Sequence, residues 1–287
     1  MAEHILVIGG GSALGCEIAR VLAGLGHRVM GTYRSDRLGV IAAIAETGAE
    51  PMQLDLSDEV ALKSSLAAAD GAVFVPKLTQ TVAAGRFLAP GQPAVFFSSN
   101  NVVVDRETPN YRNLAAAEET LRQAAPEARV LRPTMIYGHA GDRNLSRLMR
   151  SMRRRRVVFR PATSALQQPI FFRDVARICA ELLFEPGRSG ATMAAGGPDE
   201  VTYRQLYAAV AQAAGARCLS LPVPVGAALA GARLLRATGA KVPVRMDQLR
   251  RARFDKRARG AEVRLGTTSL QDGLQHLAAA LEHADRN

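Results

Sequence analysis

The sequence predicts an α/β fold, a doubly wound parallel sheet carrying a smaller, mostly helical C-terminal lobe. Three observations predict it. Short apolar runs bounded by turn residues alternate with helix-period stretches over residues 5–133, the pattern of parallel strands joined by right-handed helical crossovers. The first of these units breaks at a glycine-rich turn. Beyond Met135 the alternation loosens into turn-rich loops and longer helical stretches.

The opening unit, residues 5–34, carries the most information. The apolar run 5–8 reads as a buried strand, breaks into Gly-Gly-Gly-Ser-Ala-Leu-Gly, and continues as a helix with Leu14, Ile18, Val21, Leu22 and Leu25 on one face. The helix stops at Gly24 and Gly26, and a second strand follows at 28–33. A strand, glycine turn, helix and strand within about thirty residues form the first unit of a dinucleotide-binding fold. Gly9 makes the tight turn, Gly11 and Ser12 line the phosphate, and the helix start at Ala13 and Leu14 supplies free N–H groups and a partial positive charge. Gly15 lets the helix pack on the strand.

An NAD site usually ends its second strand in a carboxylate that accepts from the ribose 2′-hydroxyl. Here that position is Tyr33, followed by Arg34, with Arg37 close behind. A guanidinium pairs with a 2′-phosphate and cannot accept from a hydroxyl, so the expected cofactor is NADP, with NAD second. A short helix is expected over 38–46. A third strand, 50–55, ends in Leu-Asp-Leu-Ser-Asp and brings Asp55 and Leu56 near the adenine, with Ser57 capping the next helix. Strands follow at 72–76, 94–99 and 129–132, with helices at 80–88 and at 112–124, the latter opened by Tyr111. The expected division is a Rossmann core over 1–135 and a lobe over 136–287, with residues 168–185 returning to the core sheet as a strand and helix. Within the lobe, helices are expected at 202–214, 225–237 and 268–281. An amphipathic helix over 144–155 places Leu145, Leu148, Met149 and Met152 on one face and Arg147, Arg150 and Arg154 on another.

A chain of 287 residues with 48% hydrophobic content can bury a large core. No charged-then-apolar leader opens it, and no apolar run reaches spanning length, so a cytoplasmic location is expected. Cys16, Cys179 and Cys218 are scattered, without metal-ligand spacing, and read as small hydrophobes in a reducing compartment; no metal is expected. The net charge of +11 resides in two stretches. Residues 143–160 hold eight arginines and no acid, and residues 245–264 hold eight basic residues against three acids. Such patches suit an anionic small-molecule substrate, with Arg147 and Arg150 as its expected contacts, or a membrane surface or protein complex. Nucleic acid ranks last, because the arginines lack interleaved aromatics or a reading motif.

Taken together, Ile-Gly-Gly-Gly-Ser-Ala-Leu-Gly, the Leu-Asp-Leu-Ser-Asp strand end, Phe-Phe-Ser-Ser-Asn-Asn, the Tyr111 helix, Leu-Arg-Pro-Thr-Met-Ile-Tyr-Gly with Gly-Asp-Arg-Asn after it, Gln-Pro-Ile-Phe-Phe-Arg-Asp-Val-Ala and Gly-Gly-Pro-Asp-Glu-Val-Thr-Tyr-Arg-Gln-Leu resemble the extended or atypical short-chain dehydrogenases/reductases of the NAD-dependent epimerase/dehydratase group. The resemblance covers most of the chain. It implies an oxidoreductase or epimerase acting on a small or nucleotide-linked carbonyl or alcohol, with a Ser/Thr, a Tyr and a Lys four residues later as the catalytic set. The tyrosine is then the general acid/base, and the lysine's charge activates it. Tyr111 is in place, but the lysine position is Ala115, and the Ser/Thr position is Asn100, preceded by Ser98 and Ser99. Ser99 and Asn100, at a strand's carboxyl end, can still hydrogen-bond a substrate carbonyl. Arg112 is the only cation close in sequence, and on a helix it does not face Tyr111. The absent lysine leaves open a second reading, a non-catalytic NADP-binding scaffold or redox-sensing subunit.

Overall fold

The computed structural model describes residues 3–36, 39–105, 107–237 and 246–286, with the side chains of 233–237 and 246–248 left aside. Arg37 and the start of the helix expected from residue 38 lie outside the described residues. In chain order the elements are β1 (His4–Ile8), α1 (Ala13–Gly24), β2 (Arg28–Tyr33), α2 (Val40–Ala45), β3 (Glu50–Gln53), α3 (Glu59–Ala67), β4 (Gly71–Lys77), α4 (Leu78–Thr81) running into a 3₁₀ turn (Val82–Phe87), β5 (Ala94–Phe97), α5 (Asn101–Val104), α6 (Pro109–Ala124) and β6 (Arg129–Pro133). The second half continues with β7 (Ile136–Tyr137), α7 (Leu145–Arg154), β8 (Val157–Pro161), β9 (Leu166–Gln167), β10 (Ile170–Phe171), α8 (Phe172–Phe184), β11 (Thr192–Gly196), β12 (Val201–Thr202), α9 (Tyr203–Ala213), β13 (Leu219–Val223), α10 (Val225–Ala237), α11 (Met246–Arg251), β14 (Glu262–Leu265) and α12 (Leu270–Ala284).

Eight parallel strands form the main sheet in the order β14-β11-β6-β5-β4-β1-β2-β3. Alternate side chains on each strand feed the two faces, so β1 sends Ile5 and Val7 to one core and Leu6 and Ile8 to the other. The first core joins α1 and α8; the second joins α3, α4 and α6. The strand order reverses between β1 and β4, which opens a crevice at their carboxyl ends, the usual ligand site of such sheets. The sheet takes β11 and β14 from the C-terminal half, two strands that the sequence pattern does not announce. The strand expected over 168–172 is shorter: Ile170–Phe171 pairs with β7 in a separate two-stranded ladder. Ser57 does not cap α3. Asp58 does, accepting from the Ala61 N–H, while Ser57 donates to Asp55.

A third core builds the lobe from α7, α9 and α12. On α7, Leu145, Met149 and Met152 are buried and Leu148 is half-buried, so the apolar face packs inward. Each such side chain contributes about 1.5–3 kcal/mol on burial. α9 begins with a capping box, in which Thr202 accepts from the Gln205 N–H and the Gln205 side chain accepts from the Thr202 N–H. No helix among the described residues is long and apolar enough to cross a membrane, and the three cysteines are free thiols.

Candidate functional site

The glycine turn forms the first half of the site. Gly9 sits at φ +78°, a conformation that side chains disfavour. A Cβ on Gly15 would press into the backbone of Gly9 and Gly10, so only glycine lets α1 start this close to β1. Ser12 caps α1, accepting from the Gly15 N–H at 3.0 Å and donating to the Gly9 carbonyl at 2.9 Å. The turn's other amides are used internally: Gly10, Gly11 and Ser12 donate to Val7, Thr32 and Gly9. The N–H groups of Ala13 and Leu14 have no acceptor among the described residues, leaving two free donors at the helix N-terminus. At the end of β2, Arg34 is exposed and its guanidinium has no partner among the described residues. Asp55 lies close to it. Hydrogen bonds from the Ser57 N–H and hydroxyl, with the Arg34 charge behind them, hold the Asp55 carboxyl below its usual range. Leu56 is half-buried against the second core.

Cradle and cavity meet at β4. A Cβ on Gly9 would lie 3.0 Å from Pro76 Cδ, and the next residue, Lys77, lines a cavity of about 1050 Å³ over the carboxyl ends of β4, β5 and β6. Ser98, Ser99, Asn101 and Tyr111 form its sheet-side wall. The basic residues Lys77, Arg143, Arg160, Arg251 and Lys256 line it, and among the described residues no carboxylate does. Arg160 keeps a buried Nε with no hydrogen-bond partner. Lys256 donates to the Tyr203 hydroxyl at 2.8 Å, and burial, with the Arg251 charge nearby, pushes its ammonium down to about 8.

Tyr111 is half-buried at the cavity wall. Its hydroxyl oxygen accepts from Asn101 Nδ2 at 3.2 Å and from Arg251 Nη1, and the Arg251 guanidinium lies 4.8 Å from the centre of its ring. Asn101 also donates to Ser99 Oγ from both its amide and its backbone N–H, at 3.3 Å each. Ser98 donates to Glu118, whose carboxylate pairs with Arg132 in a buried network behind the wall. The cation that helix spacing denies to Tyr111 therefore comes from the far end of the chain. No local signal could announce it, because the two residues are 140 positions apart.

Three expectations are corrected. Asn100 is buried and its side chain is spent on backbone: Nδ2 donates to the Arg257 carbonyl at 2.5 Å, and Oδ1 accepts from the Arg259 N–H at 3.0 Å. Asn101, one residue on, reaches Tyr111 instead. Arg147 is exposed outside the cavity, and Arg150 is held by the Ala140 carbonyl and Asp285. Arg143 and Arg160, from the same stretch, occupy the cavity wall in their place. Tyr137 is buried under Gly273 and Phe171 and serves packing. No cluster of metal-ligating side chains occurs among the described residues.

The sheet order and the glycine cradle define a Rossmann-type α/β protein. Three solved structures superpose over almost the whole chain. A nucleoside-diphosphate-sugar epimerase from Pseudomonas aeruginosa is 19% identical with a TM-score of 0.75, 99% of each chain being covered. UDP-glucose 4-epimerase from Thermotoga maritima, solved with UDP-glucose, is 14% identical with a TM-score of 0.69, covering 98% of this chain and 99% of that one. UDP-glucuronic acid 4-epimerase from Bacillus cereus, in complex with UDP-glucuronic acid and NAD, is 12% identical with a TM-score of 0.67 at the same coverage. No family model matches the sequence, and no curated protein matches it.

Proposed function

We propose that the protein is an NADP-dependent oxidoreductase or epimerase of the extended short-chain dehydrogenase/reductase type, acting in the cytoplasm on an anionic, nucleotide-linked carbonyl or alcohol. The observation that carries this reading is the Tyr111 hydroxyl, set with Ser99 and Asn101 on the wall of a basic cavity that meets the glycine cradle. The residues present fit a dinucleotide. Ala13 and Leu14 offer two N–H donors to a pyrophosphate, Gly9 and Gly15 permit the close approach, and Arg34 suits a 2′-phosphate. The structural neighbours solved with a cofactor hold NAD; the preference for NADP rests on Arg34 and the absence of an acid at Tyr33.

Bound nicotinamide supplies hydride chemistry. The chain's own part is to hold the substrate's anionic end on Arg143 and Arg160 and its carbonyl oxygen on Ser99 and Tyr111. Tyr111 gives that oxygen a proton in reduction and takes one from the alcohol in oxidation. The experiment is turnover: the full chain with NADPH or NADP and a panel of nucleoside-diphosphate sugars, products followed by NMR. A converted sugar, with a rate about 10²–10⁴-fold lower in Tyr111→Phe, is the expected result. Full activity in Tyr111→Phe would contradict it. The scaffold reading predicts dinucleotide binding with no turnover.

A further inference from the structure

We propose that Arg251 does for Tyr111 what a lysine four residues along the helix would do: its guanidinium, delivered by the C-terminal segment, activates the phenol. The catalytic meaning of this proposal rests on the oxidoreductase reading above; the contact itself does not. Position 115 carries alanine, so α6 offers Tyr111 no cation on its own face. The guanidinium of Arg251, 8% exposed, donates to the phenol oxygen and stacks over the ring.

The hydroxyl geometry adds a second point. Asn101 and Arg251 both donate to Tyr111 Oη, which fills its two acceptor positions. Its own proton is left for a third partner, and the side chain lines the cavity. Tyr111 is thus set as a donor to a substrate oxygen, with a cation in place to stabilise the phenolate once the proton has gone. In reduction that proton and a hydride from the nicotinamide convert C=O to CH–OH; in the reverse direction the phenolate takes the alcohol proton back.

The placement of Arg251 is built rather than incidental. The segment 249–259 is tied down at points along its length. Arg250 pairs with Asp105 and Glu107, and the Lys256 N–H donates to the Leu166 carbonyl at 2.7 Å. The Ala258 N–H donates to Gln168 Oε1 at 2.7 Å, and Asn100 bonds the backbone of Arg257 and Arg259. Asp105 also lies 3.9 Å from Arg251 Nε. Arg251 acts through Tyr111 in this proposal and is therefore a positioning residue.

An arylsulfonyl fluoride probe tests this without a substrate. The phenolate oxygen bonds to sulfur and fluoride leaves, so the rate of labelling at Tyr111, read by peptide mass spectrometry, reports phenolate character. Tyr33, on a different element, serves as the internal control. In folded Arg251→Gln the Tyr111 rate is expected to fall about tenfold with Tyr33 unchanged, and adding Ala115→Lys to that variant is expected to restore most of it. An unchanged rate in Arg251→Gln, or a loss that Ala115→Lys does not recover, overturns the proposal and leaves Arg251 a structural staple. Should Arg251→Gln fail to fold, Arg251→Lys keeps the charge; it is expected to retain at least a third of the wild-type rate, and a folded Arg251→Lys that falls as low as a tenth overturns the proposal equally. A chain that labels as expected yet converts no sugar overturns only the oxidoreductase reading.

Discussion

Residues 143–160 and 245–264 each carry eight basic side chains, and the fold treats them differently. In the first stretch, among the described residues, only Arg150 and Arg153 meet carboxylates, those of Asp285 and Glu282. Arg143 and Arg160 face the cavity, and Arg147, Arg154, Arg155 and Arg156 lie exposed. In the second stretch Arg250 pairs with Asp105, Arg257 with Glu200 and Arg264 with Glu181 and Glu185, while Arg251 and Lys256 bond tyrosines. The first stretch leaves charge available to a ligand; the second engages most of it with side chains elsewhere in the chain. A run of charge in sequence does not distinguish these outcomes, because most of the partners lie 50 or more residues away.

The largest break in this comparison is expected at Asp105, which holds both Arg250 and Arg251 from a buried position. Removing one partner of a buried, hydrogen-bonded pair costs about 3–5 kcal/mol, so Asp105→Ala should lower the urea midpoint sharply. The pH dependence has a definite sign. Burial works to raise the Asp105 carboxyl, but hydrogen bonds from the Thr108 side chain and the Thr108 and Glu107 amides, with the Arg250 charge, hold it below its ordinary value. Its contribution is therefore complete above the unfolded value of about 3.9 and is lost as pH falls through the lower folded value. Wild type should lose stability through that acid window more steeply than Asp105→Ala.

At the other end of the site, Gly15→Ala places a methyl against the Gly9 backbone. We expect about 1–3 kcal/mol of destabilisation, seen as a lower Tm, together with loss of dinucleotide binding. Arg34→Ala should weaken NADPH about fivefold to tenfold, roughly 1–1.4 kcal/mol, and leave NADH unchanged, as read by nicotinamide fluorescence. The smallest effect belongs to the exposed first stretch. Arg154→Ala, Arg155→Ala and Arg156→Ala together should change unfolding free energy by no more than about 0.5 kcal/mol. A large loss would show that these arginines are structural after all.

The sequence made the sheet legible wherever one element could be read from its own residues. Strands β1 to β6, the glycine turn and the apolar face of α7 follow from period and turn chemistry alone. Strands β11 and β14 did not, because Thr192–Gly196 (Thr-Met-Ala-Ala-Gly) is mostly small residues and Glu262–Leu265 (Glu-Val-Arg-Leu) is half charged, so neither reads as an apolar run. The glycine turn proposed to hold the dinucleotide was legible because Gly9 to Gly15 form one stretch. The proposed catalytic end was legible only in Ser99 and Tyr111, because Asn101 and Arg251 join them through tertiary contacts that no single stretch shows. The expectation for Asn100 fails because only tertiary contact shows that its side chain is turned toward the Arg257 and Arg259 backbone.

The central claim is that the cradle and the Tyr111 cavity form one reaction site, and a crystal structure of the full chain with NADP tests it most directly. The account predicts the pyrophosphate on the Ala13 and Leu14 amides and the nicotinamide C4 facing the cavity, leaving room for a substrate carbon at about 3–3.5 Å from C4 with its oxygen in hydrogen-bond reach of the Tyr111 hydroxyl. A nicotinamide ring turned away from Tyr111, or placed where no substrate oxygen could reach both, would contradict it.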